Sequence, residues 1–117
     1  MVKVYGYKKW STVLKSLKFL EENALEYEFF DFVVNQIDKT VLEDLIKRSH
    51  EDIEIFFSKK GVAFKELALG NIIDSLSYQE KLDYLLGNGK LLKRPIIDFG
   101  NKVFVGFKPA EISEYLQ

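Results

Sequence analysis

Three basic pairs stand out among the residues able to do chemistry: Lys8-Lys9, Lys59-Lys60 and Lys93-Arg94. Gathered beside a helix N-terminus, such cations attract a small anion, because unpaired backbone N–H groups and the helix dipole favour negative charge there. Scattered over a surface they are merely solvated, and the residues themselves leave both readings open. Trp10 directly follows the first pair. An indole in a loop is either a partner contact, a role in which Trp is enriched, or a packing filler. Arg94 precedes Pro95 and either faces a pocket or pairs with a surface carboxylate. His50 reads as a helix-end or loop residue, and Glu51, Asp52 and Glu54 as a solvated face with no metal-ligand spacing. Asp98, inside the run Ile96-Ile97-Asp98-Phe99, is either edge-facing or bonded to its own hairpin.

What is missing excludes more chemistry than what is present. The chain has 117 residues and no cysteine. Disulfides, Cys-ligated zinc, iron–sulfur clusters and thiol nucleophiles are therefore ruled out. A single histidine removes most imidazole catalysis, and no metal or cofactor is expected. With 17 Lys+Arg against 18 Asp+Glu, the balance argues against a dedicated binder of nucleic acid or of a membrane surface and leaves room for a local basic patch. The segment Met1–Tyr5 lacks the apolar stretch of a secretory signal, and no run approaches the roughly 18 apolar residues of a membrane span. The expected location is the cytoplasm. Length and a 47% hydrophobic composition predict one domain over residues 1–117 with its own core.

Elements that must position these residues follow from periodicity. Val2–Gly6 alternates and reads as a strand. Ser11 or Thr12 can cap a helix over 11–22 whose Val13, Leu14, Leu17 and Leu20 share a face, with Asn23 as its stop. Leu25–Val34 is dense in aromatic and branched residues and predicts a second strand, set at 26–34, with its distal half buried on both faces. Strand, helix and strand in so short a span form a βαβ unit with parallel strands. From about 38 to 90 the pattern is helical. Thr40 with Glu43 and Ser77 with Glu80 have capping-box spacing, and Gly87-Asn88-Gly89 stops the last of these helices. Strands at 96–99 and 102–106 flank Gly100-Asn101, a hairpin signal, and Pro109 suits the first turn of a final helix over 109–116. Phe29, Phe30, Phe32, Phe56, Phe57 and Phe64 are assigned to the core. The expected architecture is α/β, in the order β-α-β, helical insertion, β-β-α, around a mixed four-stranded sheet.

That order is the thioredoxin-like fold with a helical insertion, and several stretches carry a more specific likeness. Tyr5-Gly6-Tyr7-Lys8-Lys9, Phe57-Ser58-Lys59-Lys60-Gly61 with Phe64-Lys65-Glu66-Leu67, Leu91-Leu92-Lys93-Arg94-Pro95-Ile96-Ile97 and Val105-Gly106-Phe107-Lys108 resemble the arsenate reductase-like family, which includes the Spx transcription regulators. The resemblance covers essentially the whole chain. It implies a cis peptide bond before Pro95, facing the helix-1 loop. The three loops that carry the basic pairs are expected to converge on one edge of the fold, with solvated, scattered lysines as the alternative.

The resemblance also implies where this chain departs from its relatives. The family's nucleophilic cysteine aligns with Trp10, and the second cysteine of the Spx-like members with Val13. Trp10, Ser11, Thr12 and Val13 thus form a vestigial site without a thiol. The three arginines that surround an oxyanion in arsenate-reducing members fall on Ser58, Arg94 and Lys108, of which only Arg94 is arginine. The glycine with which Spx regulators grip RNA polymerase lies near His50 to Asp52, where no glycine stands. The expected function is a non-catalytic interaction or regulatory module, with a protein partner such as RNA polymerase. Two alternatives stand beside it: a reductase using an external thiol such as glutathione, and a small-anion sensor. The residues expected to bind an anion or partner are Arg94, Pro95, Lys8, Lys9 and Lys108.

Overall fold

The computed structural model describes residues 1–117. Strand β1 (Val2–Gly6) leads to helix α1 (Ser11–Glu22) and strand β2 (Tyr27–Asp31); helices α2 (Lys39–Ser49), α3 (Val62–Glu66) and α4 (Tyr78–Gly87) follow, then strands β3 (Ile96–Asp98) and β4 (Val103–Val105) and helix α5 (Pro109–Leu116). Short 3₁₀ turns, among them Ile53–Phe56 and Gly89–Leu91, link the helices of the insertion. The sheet order is β2-β1-β3-β4. β2 runs parallel to β1, while β3 pairs antiparallel with both β1 and β4. The α/β class, mixed sheet and helical insertion are as expected.

Period-two alternation divides the core between the faces of the sheet. Val2, Val4, Ile97 and Phe104 turn toward α1 and α5, meeting Val13, Leu17, Leu20 and Ile112. Tyr5, Ile96, Val103 and Val105 turn the other way and join Leu42, Leu45, Phe56, Phe64, Leu82 and Leu85 of the insertion. Each fully buried aliphatic side chain contributes about 1.5–3 kcal/mol through burial. At Gly6 the sheet and α1 approach so closely that a Cβ would lie 2.9 Å from Val13 Cγ2.

Several expectations need correction. β2 ends at Asp31 rather than Val34 because the Asp31 carboxylate accepts from the backbone N–H groups of Val33 and Val34, both at 2.9 Å, folding the chain into a turn. Nor is its distal half buried on both faces: β2 is an edge strand, Phe29 is partly buried and Phe30 is 40% exposed. Neither Ser11 nor Thr12 caps α1; Trp10 is its N-cap and supplies no side-chain bond. At α2 the cap is Asp38, which accepts from the Thr40 N–H at 2.8 Å, so the Thr40–Glu43 spacing is not a capping box. The Ser77–Glu80 box is present in both directions. The hairpin strands are shorter than 96–99 and 102–106, and His50 closes α2 in the left-handed conformation.

Asp98 is buried and bonded to its hairpin, accepting from the Gly100 N–H at 2.7 Å. It also takes two bonds from Arg48 of α2, at 2.7 and 2.8 Å, a partner the sequence reading missed. Asp44 accepts from the same guanidinium at 2.9 Å. The i,i+4 spacing of Asp44 and Arg48, with a lone acid in an apolar strand, was the available signal.

Candidate anion and partner site

Residues 7–10 carry the chain from β1 into α1 as a tight turn, closed by the Trp10 N–H donating to the Tyr7 carbonyl at 3.0 Å. The Trp10 carbonyl then accepts from Val13 and Leu14, which starts the helix. The indole lies edge-on to Tyr7, with centroids 4.8 Å apart, and packs against both core clusters. Over its face sits the Arg94 guanidinium, 3.2 Å from the ring centroid. A planar cation stacked this closely is a cation–π contact, strongest with Trp.

Arg94 reaches that position through a backbone joint far apart in sequence. The Ser58 N–H donates to the Leu91 carbonyl and the Lys93 N–H to the Phe56 carbonyl, each at 2.7 Å, around a Phe57–Leu92 bridge. Residues 56–58 and 91–94 are thereby held side by side. The Arg94–Pro95 peptide bond is cis, as the resemblance implied, and the Pro95 carbonyl accepts from the Gly106 N–H at 2.8 Å. Arg94 forms no ion pair; its Nη1 makes only long contacts with the Lys90 and Leu92 carbonyls, at 3.3 and 3.4 Å. Bonds of that length are weak. Burial without a compensating carboxylate lowers the guanidinium pKa from its ordinary value.

A cleft of about 440 Å³ opens beside this joint, lined by Thr12, Glu54, Ser58, Lys59, Lys60, Lys93 and Arg94 among others. Four cations thus face one carboxylate, and Glu54 is engaged by Lys59 at 3.6 Å. Two of the three basic pairs expected to converge meet here. The third does not line the cleft: the Lys8 ammonium sits over the Phe29 ring at 5.3 Å and Lys9 over Tyr7 at 6.0 Å. Both ammonium groups lie over aromatic rings instead. Lys108 is also absent from the cleft and pairs with Glu111 at 3.9 Å. Of the four residues at the turn and helix start, Ser11 and Thr12 are exposed, while Val13 is fully buried under β1. Glu54, read from sequence as a solvated acid, is the residue of the cleft that sequence reasoning missed. No group of acidic or histidine side chains is placed to hold a metal ion.

A βαβ unit, a helical insertion and a ββα unit, with a cis-proline joint beside the first helix, define an arsenate reductase-like protein of the thioredoxin-fold class. The ArsC family model matches residues 5–115, and the chain belongs to that family. It is similar to YusI of Bacillus subtilis (strain 168), at 34% identity over 94% of this chain and 93% of that one. It is also similar to the global transcriptional regulator Spx 2 of Bacillus anthracis, at 25% identity over 99% of this chain and 87% of the other. The structure of an ArsC family related protein from Bacteroides fragilis superposes with a TM-score of 0.90, at 34% identity, covering 97% of this chain and 95% of that one. No helix is long and apolar enough to cross a membrane.

Proposed function

We propose that this chain is a non-catalytic interaction or regulatory module of the ArsC family. The observation that carries this reading is the Trp10 indole at the start of α1, stacked on Arg94 at 3.2 Å in a chain without cysteine. In thiol-dependent relatives that position is where the resemblance puts the nucleophile. An indole forms no mixed disulfide, but it offers a large, semi-rigid contact surface next to an arginine, and both Trp and Arg are enriched at binding hot spots. Trp10, Arg94 and Pro95 form the centre of the proposed contact, and its partner is a cytoplasmic protein, with RNA polymerase the first to test. The test is capture of the intact protein from its own cell lysate: RNA polymerase subunits should be recovered with wild type and lost with Trp10→Ala. Recovery of no reproducible partner would sink the reading.

The cleft supports a second reading, binding of a small oxyanion without chemistry, because Arg94 has no carboxylate of its own and Lys59, Lys60 and Lys93 stand around it. Titration with phosphate, sulfate or arsenate should change Trp10 fluorescence, and a flat titration would dismiss it. The third possibility, a reductase drawing its only sulfur from glutathione, predicts turnover of arsenate that Trp10→Ala alters.

A further inference from the structure

We propose that the open edge of β2 accepts an extended segment of another protein, alternating basic and apolar residues, as a fifth strand of the sheet. β2 is the terminal strand and pairs only with β1. The Val2 N–H donates to Glu26 O at 3.2 Å and the Phe32 N–H to Gly6 O at 3.1 Å. The even-numbered residues of β2 therefore aim their backbone groups at β1, and those between them aim outward. Tyr27 and Phe29 each present a free N–H and C=O along the edge, whereas the Asp31 carbonyl is taken by the Asn35 N–H at 3.1 Å. Two residues with both groups free are what strand addition needs for its main-chain bonds.

Beside the edge, α2 packs toward β4 and leaves this corner of the sheet uncovered. A groove of about 410 Å³ lies there, with Tyr5, Phe29, Phe30, Phe32, Ile37 and Val41 as its apolar lining. Phe30 stacks on Tyr5 at 5.1 Å and is still 40% exposed. On this face the basic side chains of the added strand would lay their stems on Phe30 and reach Glu26 and Glu28, both exposed, while its apolar side chains would meet Tyr27 and Phe29 on the other face.

Charge decides the occupant. Glu26, Glu28, Asp31 and Asp38 border the edge and groove, against Lys3, which is in register with Glu28, and Lys8, already over Phe29. A second copy of this chain fits poorly. Antiparallel self-pairing that sets residue 27 against 29, or 29 against 29, brings Glu28 directly or diagonally opposite Glu28 of the other copy, and like charges across strands are destabilising. The same carboxylates that guard the edge against its own copies complement lysine or arginine at alternate positions of an incoming strand. Neither Tyr27 nor Phe29 lines the cleft beside Arg94, so this surface stands or falls independently of the Trp10 end.

The experiment is NMR-detected amide exchange on the labelled full chain, with a synthetic peptide of alternating lysine and valine as the probe. Binding should slow exchange at Tyr27 and Phe29 by about tenfold or more, and Glu28→Lys should abolish the slowing. A glutamate–valine peptide should have no effect. The Phe32 amide, bonded to Gly6, reports in the same spectra that the sheet is intact; if Glu28→Lys loses that signal, Glu26→Lys carries the charge test. Equal response to both peptides, protection of the two amides by self-association of the free chain, or an effect confined to the Arg94 cleft overturns the proposal.

Discussion

The chain has two arginines, and they live in opposite circumstances. Arg48 is saturated: Asp98 takes two of its N–H groups at 2.7 and 2.8 Å, Asp44 a third at 2.9 Å, and the Gly100 carbonyl shares one at 3.1 Å. Those bonds tie α2 to the β3–β4 hairpin and raise the guanidinium pKa, chiefly through the Asp98 hydrogen bonds. Arg94 has five donors and spends them on two long contacts with backbone carbonyls and an indole face. Its burial pushes the pKa the other way. A saturated arginine is part of the scaffold, while one held in place with its charge unmet is part of a site. The difference lies in the partners and not in the residue type.

Removing each guanidinium should separate the two roles most sharply. Arg48→Ala leaves the buried Asp98 carboxylate without its cation and should cost about 3 kcal/mol in urea denaturation. Arg94→Ala strands no carboxylate and should change stability by less than about 1 kcal/mol. Equal losses would erase the distinction. Acid should probe the same pair more gently. The Arg48 hydrogen bonds hold the Asp98 carboxyl below its ordinary value. The unfolded chain therefore takes up that proton first as pH falls, so the pair's stabilisation is complete above the ordinary aspartate pKa of roughly 3.9 and fades as pH drops toward the lower folded value. Asp98→Asn should flatten that acid limb in a pH series of denaturation curves; an unchanged limb would mean the pair contributes nothing.

Ligand binding should show the reverse ranking. If the cleft takes an oxyanion, Arg94→Ala should weaken phosphate binding about tenfold, or roughly 1.4 kcal/mol, in the Trp10 fluorescence titration. Arg94→Lys should fail to restore it, because an ammonium cannot both stack on the indole and present a planar fork. Full rescue by lysine would reduce Arg94 to a point charge.

Local signals explain why the scaffold was legible and the site only partly so. Asn23, Ser77 with Glu80, and Pro109 act within one turn of where they stand, and the boundaries of α1, α4 and α5 follow from them. Thr40 misled because Asp38, two residues earlier, is the stronger acceptor and caps first. The aromatic run of β2 continues past Asp31, but the Asp31 side chain turns the backbone and ends the strand sooner than the pattern implies. The alternation of Phe29 and Phe30 could not reveal which face a neighbour would leave bare. At the site, Lys59, Lys60, Lys93 and Arg94 meet through the backbone bonds of residues 56–58 to 91–93, a pairing across more than one element that no spacing announces. Lys8 and Lys9 look equivalent to them in sequence, yet they lie over the rings of Phe29 and Tyr7.

The smallest effect tests whether the helix start retains the electrostatics of a thiol site. Trp10→Cys would place a sulfur where the chain enters α1, with Ser11 and Thr12 supplying first-turn N–H groups that have no acceptor within the helix. Val13 is not available, because its N–H already donates to the residue 10 carbonyl at 3.1 Å. Removing the indole also frees one face of the Arg94 guanidinium, whose remaining contacts are the Lys90 and Leu92 carbonyls at 3.3 and 3.4 Å. Both the helix dipole and the arginine favour the thiolate. The introduced thiol should therefore titrate below the unperturbed value of roughly 8.5 and be alkylated faster than a model thiol at neutral pH, while wild type shows no thiol reactivity. In the double variant with Arg94→Ala the shift should shrink but not vanish, since the amides remain. A thiol that titrates at the model value in both backgrounds would mean that Arg94 projects no field at residue 10, and the contrast with Arg48 would then rest on packing alone.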